Sequence, residues 1–166
     1  MTTPQTLITR LGTGLMRGTL LALAAGLAYA PSHWLGLRQE FWGSITAILV
    51  LQTEMRAMKS MAHNQALGGV IGGAIGLALV LMFGDSLPVY LLGIILAGVL
   101  CHELALEGAT QVSAVTITIL MLVPHTESMP AFLATRLAEV ALGIAVGAGI
   151  GWAALISSVA PPAQRG

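Results

Sequence analysis

Residues 41–76 read FWGSITAILVLQTEMRAMKSMAHNQALGGVIGGAIG. They describe an apolar helix entered by Phe41 and Trp42, a short polar and basic turn, and a helix ridged with glycine. A degenerate copy stands at residues 111–151, QVSAVTITILMLVPHTESMPAFLATRLAEVALGIAVGAGIG. In this reading an odd number of membrane crossings separates the copies, so they sit upside down relative to each other, an arrangement typical of transport proteins.

The chain around them is 56% hydrophobic and 8% charged over 166 residues, against about 25% charged for a soluble domain. So few charges cannot clothe a water-exposed surface, and several apolar runs approach the ~20 residues that cross a bilayer. This is the composition of an integral membrane protein. The formal charge is zero, and no basic tract suggests nucleic acid as a partner. Cys101 is the sole cysteine, which excludes an internal disulfide and a Cys/His zinc pattern. No phosphate-binding loop or nucleophilic triad is present, so no enzyme activity, cofactor or ATP hydrolysis is expected.

The hydropathy pattern predicts an all-α, polytopic protein of six transmembrane helices in one domain spanning residues 1–166. They are placed at Leu15–Leu35, Phe41–Thr53, Ala66–Phe83, Val89–Leu104, Ala109–Val123 and Ala131–Val159. Ala28-Tyr29-Ala30 has the form of a signal-peptidase site, but Pro31 directly after it hinders cleavage, so a retained first helix is expected. Glu54–Gln65 is read as a turn whose Arg56 and Lys59 touch anionic headgroups. With the N-terminus inside, Arg10, Arg17, Arg56, Lys59 and Arg165 face the cytoplasm, and six crossings return the C-terminus to that side. The loop between the fourth and fifth helices has no Lys or Arg, which leaves a shallow re-entrant hairpin as the alternative there.

The two copies extend to a repeat of three helices, about residues 15–83 and 89–159. A shift of 72 residues sets Ala25 on Ala97, Gly26 on Gly98, Gln39 on Gln111 and Thr46 on Thr118. A shift of 75 sets Gly68, Gly72 and Gly76 on Gly143, Gly147 and Gly151. Glycines four apart share one helix face and let another backbone approach closely, within a protomer or between two.

Two polar stripes are candidates for a substrate path. Gln39, Trp42, Thr46 and Thr53 share one face of the second helix, and Gln111, Thr118 and His125 one face of the fifth. The alternative is local: the hydroxyls bond their own helix carbonyls, and the glutamines mark helix ends. Arg136 and Glu139 stand one turn apart inside the sixth helix, where ionisable residues are costly and usually paired or functional. They either neutralise each other, or Arg136 draws in an anion. His102, Glu103 and Glu107 lack the His-Glu-x-x-His spacing of a metal helix, so no metal site is expected.

Phe41-Trp42-x-x-Ile45-Thr46-Ala47-Ile48-Leu49-Val50-Leu51-Gln52, then a basic turn and a glycine ridge, resembles the fusaric acid resistance and aromatic acid exporter superfamily. Arg136-Leu137-Ala138-Glu139-Val140-Ala141-Leu142-Gly143 resembles that family's last helix. Gln65 and Gly68-Gly69 stand where its members usually have Arg and Gly-Thr. The resemblance implies a carrier of the bacterial inner membrane that exports aromatic acids. Distant plant malate channels extend the implication to organic anions and a homodimer. It places Trp42, Thr46, Gln52 and Arg136 at signature positions. The rival reading is a non-transporting scaffold or a subunit of a larger membrane complex.

Overall fold

The structure is a computed structural model that describes residues 7–34, 41–124 and 128–159, with side chains described from 11 to 156. Within these residues the fold is all-helical: α1 Leu7–Trp34, α2 Phe41–Val50, α3 Met55–Phe83, α4 Leu87–Glu103, α5 Glu107–Leu122 and α6 Met129–Val159. Three helices are long and apolar enough to cross a membrane, at Leu11–Trp34, Met55–Phe83 and Met129–Ile156. The others are shorter. At 10, 17 and 16 residues, α2, α4 and α5 extend about 15, 26 and 24 Å, against a hydrocarbon core of about 30 Å.

Three boundaries differ from expectation. α1 begins at Leu7 rather than Leu15. The basic turn at 54–65 is the first three turns of α3, which runs unbroken from Met55. No glycine or proline interrupts that stretch, and Met58 and Gln65 fall on its buried side, so a polar composition was mistaken for a break. The second helix ends at Val50 rather than Thr53, leaving Gln52 and Thr53 in the connector. Between α4 and α5 the chain turns in three residues, Leu104–Leu106. Leu106 N–H bonds Cys101 O at 2.8 Å, and Ala105 N–H bonds His102 O at 3.0 Å. This is a Schellman closure, and it puts Ala105 at φ 54° where glycine is usual.

The helices meet through small residues. Where α3 lies on α5, a Cβ on Gly68 would strike Ala109 and Val112, one on Gly72 would strike Ser113, and one on Gly76 would press on Leu120 near Ile117. Where α6 lies on α2, Gly143 faces Gly43 and Thr46 and Gly147 faces Ala47, while Gly151 faces Met58 of α3 and Leu51 just beyond α2. In lipid, helices gain nothing from apolar burial against each other, and close van der Waals fit holds them instead.

These two sets of contacts are equivalent. Moving α3 onto α6 by 75 residues and α5 onto α2 by 66 carries Gly68–Ala109 onto Gly143–Gly43, and Gly72–Ser113 onto Gly147–Ala47. Buried Ala97 with Ile117 likewise corresponds to Ala24 with Leu51, at shifts of 73 and 66. The equivalence extends to the whole packing scheme. Exchanging α1 with α4, α2 with α5 and α3 with α6 turns α1·α2 into α4·α5, α2·α6 into α5·α3, and α3·α4 into α6·α1. It maps α2·α3 onto α5·α6 and leaves α3·α6 in place, while α1·α4 and α2·α5 do not touch among the described residues. α3 and α6 cross antiparallel, since Gly69 meets Leu137 and Gly73 meets Leu133.

The uniform shift of 72 expected from sequence is therefore not the one the packing follows. Ala24 and Ala47 lie 23 residues apart, but their counterparts Ala97 and Ser113 only 16. An ungapped alignment at 72 therefore slides α2 along α5 by six residues, more than a turn. Thr46 and Thr118 are not equivalent, and the burial of Ala24 and Ala28 matches Ala97 and Cys101 at a shift of 73.

Candidate functional site

Because α2 and α5 stand apart on either side of the α3–α6 crossing, a groove of about 390 Å³ lies between them. This is within the range of small-molecule sites. One wall is Trp42, Ile45, Thr46 and Leu49 of α2, and the facing wall is Gly108, Gln111, Val112 and Val115 of α5. Met61, Asn64 and Gln65 of α3 and Arg136 of α6 form the floor. The shift of 66 pairs the walls residue for residue, Trp42 with Gly108, Ile45 with Gln111, Thr46 with Val112 and Leu49 with Val115.

The pairing is geometric and not chemical. Arg136 corresponds to Met61, and Trp42 to Gly108, so one side carries a cation under an indole and the other an open backbone. Arg136 is 5% exposed, and its Cζ lies 4.2 Å from the centre of the Trp42 ring. A desolvated cation–π contact of this kind is worth roughly 2 kcal/mol, too little to offset the burial of a guanidinium. Glu139, one turn on and fully buried, supplies the compensating charge through its Coulombic interaction with Arg136.

Three donors remain. Arg136 Nε and Nη1 and Trp42 Nε1 are buried with no hydrogen-bond partner among the described residues. Polar groups left in this state cost about 1–3 kcal/mol each, more when charged. The floor thus holds N–H groups with nothing to accept from them, on two side chains that line a cavity large enough for an acceptor. A guanidinium suits a carboxylate in a two-bond geometry. Ile45, Leu49, Val112 and Val115 give such an acid apolar walls. At the far edge, a Cβ on Gly108 would run into the Asn64 side chain, so the carboxamide occupies the space that any other residue at 108 would need.

Of the residues singled out from sequence, Trp42, Thr46, Gln111 and Arg136 line this groove, and Glu139 sits behind it. Thr46 is 1% exposed and packed on Gly143. Thr118 is elsewhere: its hydroxyl bonds Ala114 O at 2.8 Å and lies 3.2 Å from Tyr90 Oη. Gln52 and Thr53 line a different cleft, and Gln39 and His125 lie outside the described residues. Met61, Asn64, Gln65 and Gly108 were missed as lining residues. The signal for the first three was present, since positions 61, 64 and 65 share a helix face, but it needed α3 to begin at Met55.

No curated protein and no solved structure matches the chain. The family described as fusaric acid resistance protein-like matches residues 24–154, which take in the described parts of α2 to α5 and the whole groove. On that match the chain belongs to the fusaric acid resistance protein-like family.

Proposed function

We propose that the protein is a small transporter or channel for organic anions, with the groove between α2 and α5 as the substrate path. The observation that carries this reading is Arg136: a guanidinium buried in an apolar chain, two of its nitrogens without acceptors, on a side chain that lines a cavity of about 390 Å³. Family membership supports membrane transport as the activity. An acid with an aryl body suits the site best, its carboxylate on Arg136 and its ring against the apolar walls. With no nucleotide-binding motif in the sequence, an ion gradient or the substrate's own gradient drives flow.

The repeat is read as inverted, with six crossings and both termini on the cytoplasmic face of a bacterial inner membrane. The exchange of helix contacts and the antiparallel crossing of α3 and α6 support this. On this reading the crossing near Gln65 and Val140 sits at mid-membrane. The three shorter helices span the bilayer together with their connectors, and a homodimer encloses the open side of each groove.

Reconstitution into liposomes tests the reading. Uptake of labelled aromatic acids and dicarboxylates is measured for the wild type, Arg136→Gln and Trp42→Ala. Saturable flux that Arg136→Gln reduces by about a hundredfold, the loss of a charge-assisted bidentate contact, is the expected result. Flux indifferent to Arg136, or none for any anion in a folded protein, sinks the assignment and leaves a scaffold role.

A further inference from the structure

The exchange of halves leaves one place filled in the second half and open in the first. In the second, Tyr90 of α4 reaches α5, where its hydroxyl lies 3.2 Å from Thr118 Oγ1. Its ring packs with Val80 and Val89 on the cluster of Ala97, Ile117 and Met121. The shifts of 73 and 66 carry Tyr90 onto Arg17 and Thr118 onto Gln52. Among the described residues, no aromatic ring lines the space around these counterparts. The first half has a cleft of about 410 Å³ between α1, the connector that follows α2 and the last turns of α6. Leu20, Leu21, Leu51 and Leu155 line it with apolar surface, and Arg17, Gln52 and Thr53 give it a polar edge. Gln52 Nε2 donates to Leu49 O at 2.7 Å, which ties that carboxamide to the α2 end beside Arg17.

What fills the place in the second half is an amphiphile, an apolar ring with a polar tip that bonds the neighbouring helix. In the first half the tip's position belongs to a cation. We propose that this cleft binds an amphiphilic organic anion, its oxyanion head held by Arg17 and Gln52 over an apolar body seated on the leucines. A membrane phospholipid and a soluble aryl carboxylate both present that chemistry. No residue lines both this cleft and the Arg136 groove, so binding here is separable from passage there.

The test is native mass spectrometry of the intact protein in detergent, titrated separately with phosphatidylglycerol, phosphatidylcholine and phenylpropionate. Saturable binding of phosphatidylglycerol or phenylpropionate is expected. Measured in an Arg136→Gln background, which removes acid binding at the groove, it should persist and be weakened about tenfold by adding Arg17→Gln through loss of the charge-assisted contact. The double variant R17Y/Q52T, which builds the Tyr90–Thr118 pair into the first half, should close the cleft and abolish binding. Its helical circular dichroism and melting transition report whether it folds, and if it does not, Arg17→Gln alone decides. Retention of phosphatidylglycerol assigns the head to a lipid, and retention of phenylpropionate assigns it to a soluble acid. Equal binding of phosphatidylcholine, binding unaffected by Arg17→Gln, or no saturable binding of either anion overturns the proposal.

Discussion

Gly147 and Gly149 stand two residues apart on α6, and replacing each with alanine should move stability in opposite directions. A Cβ on Gly147 would lie 2.5 Å from the carbonyl oxygen of Ala47 and 3.1 Å from its Cα. Both atoms belong to the α2 backbone, so no change of rotamer relieves the contact. To reach 3.4 Å, where ordinary van der Waals contact begins, the two helices must part by about 0.9 Å. Such overpacking costs roughly 1–3 kcal/mol, less about 1 kcal/mol of helix propensity gained by alanine over glycine. A Cβ on Gly149 meets nothing within 4 Å, so Gly149→Ala keeps only the propensity gain, up to about 1 kcal/mol. Unfolding followed by circular dichroism in mixed micelles, with denaturing detergent as titrant, gives both midpoints. The expected result is a lower midpoint for Gly147→Ala and a higher one for Gly149→Ala. Two shifts of the same sign and size would show that α6 does not seat on α2 through this ridge.

Three further outcomes follow from the same contacts. Gly108→Ala forces the Asn64 carboxamide out of its place and should raise the substrate KM in the liposome assay severalfold, with Asn64→Ala in the same chain restoring it. Ala105→Gly relieves a left-handed residue at the Schellman turn and should stabilise the protein by about 1 kcal/mol in the same unfolding assay. Tyr90→Phe removes the hydroxyl contact to Thr118 and should cost about 1 kcal/mol. Adding Thr118→Val to it should cost little more, which a double-mutant cycle reads directly.

Much of the architecture is legible in the residues, for reasons that differ by element. The glycines at 68, 72, 76 and 143, 147, 151 announced two helices that take a close neighbour, because only a missing side chain permits backbone contact. The gap left between the helices expected at Ala66–Phe83 and Val89–Leu104 marked a join, since Gly84 ends one helix at a positive φ and Pro88 sits in the first turn of the next. The start of α3 was hidden, because Arg56, Lys59 and His63 make that turn look solvated while Met58 and Gln65 quietly face inward. The register of α2 against α5 was hidden for another reason. Apolar side chains of similar size align almost equally well at several offsets, and only the contacts of Gly72 with Ser113 and of Gly147 with Ala47 select one. Arg136 and Trp42 were legible as candidates through their cost in an apolar chain. Their opposite numbers, Met61 and Gly108, carry no such cost and gave no signal.

The exchange of contacts also bears on how the chain assembles. Within the first half, α3 touches only α2, while its broad surfaces are kept for α5, α6 and α4. The whole glycine ridge of α3 therefore has no partner until residues beyond Gly84 have been synthesised. At about 5–20 residues per second, the ribosome needs several seconds more to deliver α5 and α6. For that interval the first three helices are an open clasp, exposed to lipids, insertion factors and membrane proteases. A chain interrupted in α5 should consequently be degraded rather than persist as a half-protein, and supplying residues 85–166 as a separate chain should rescue it.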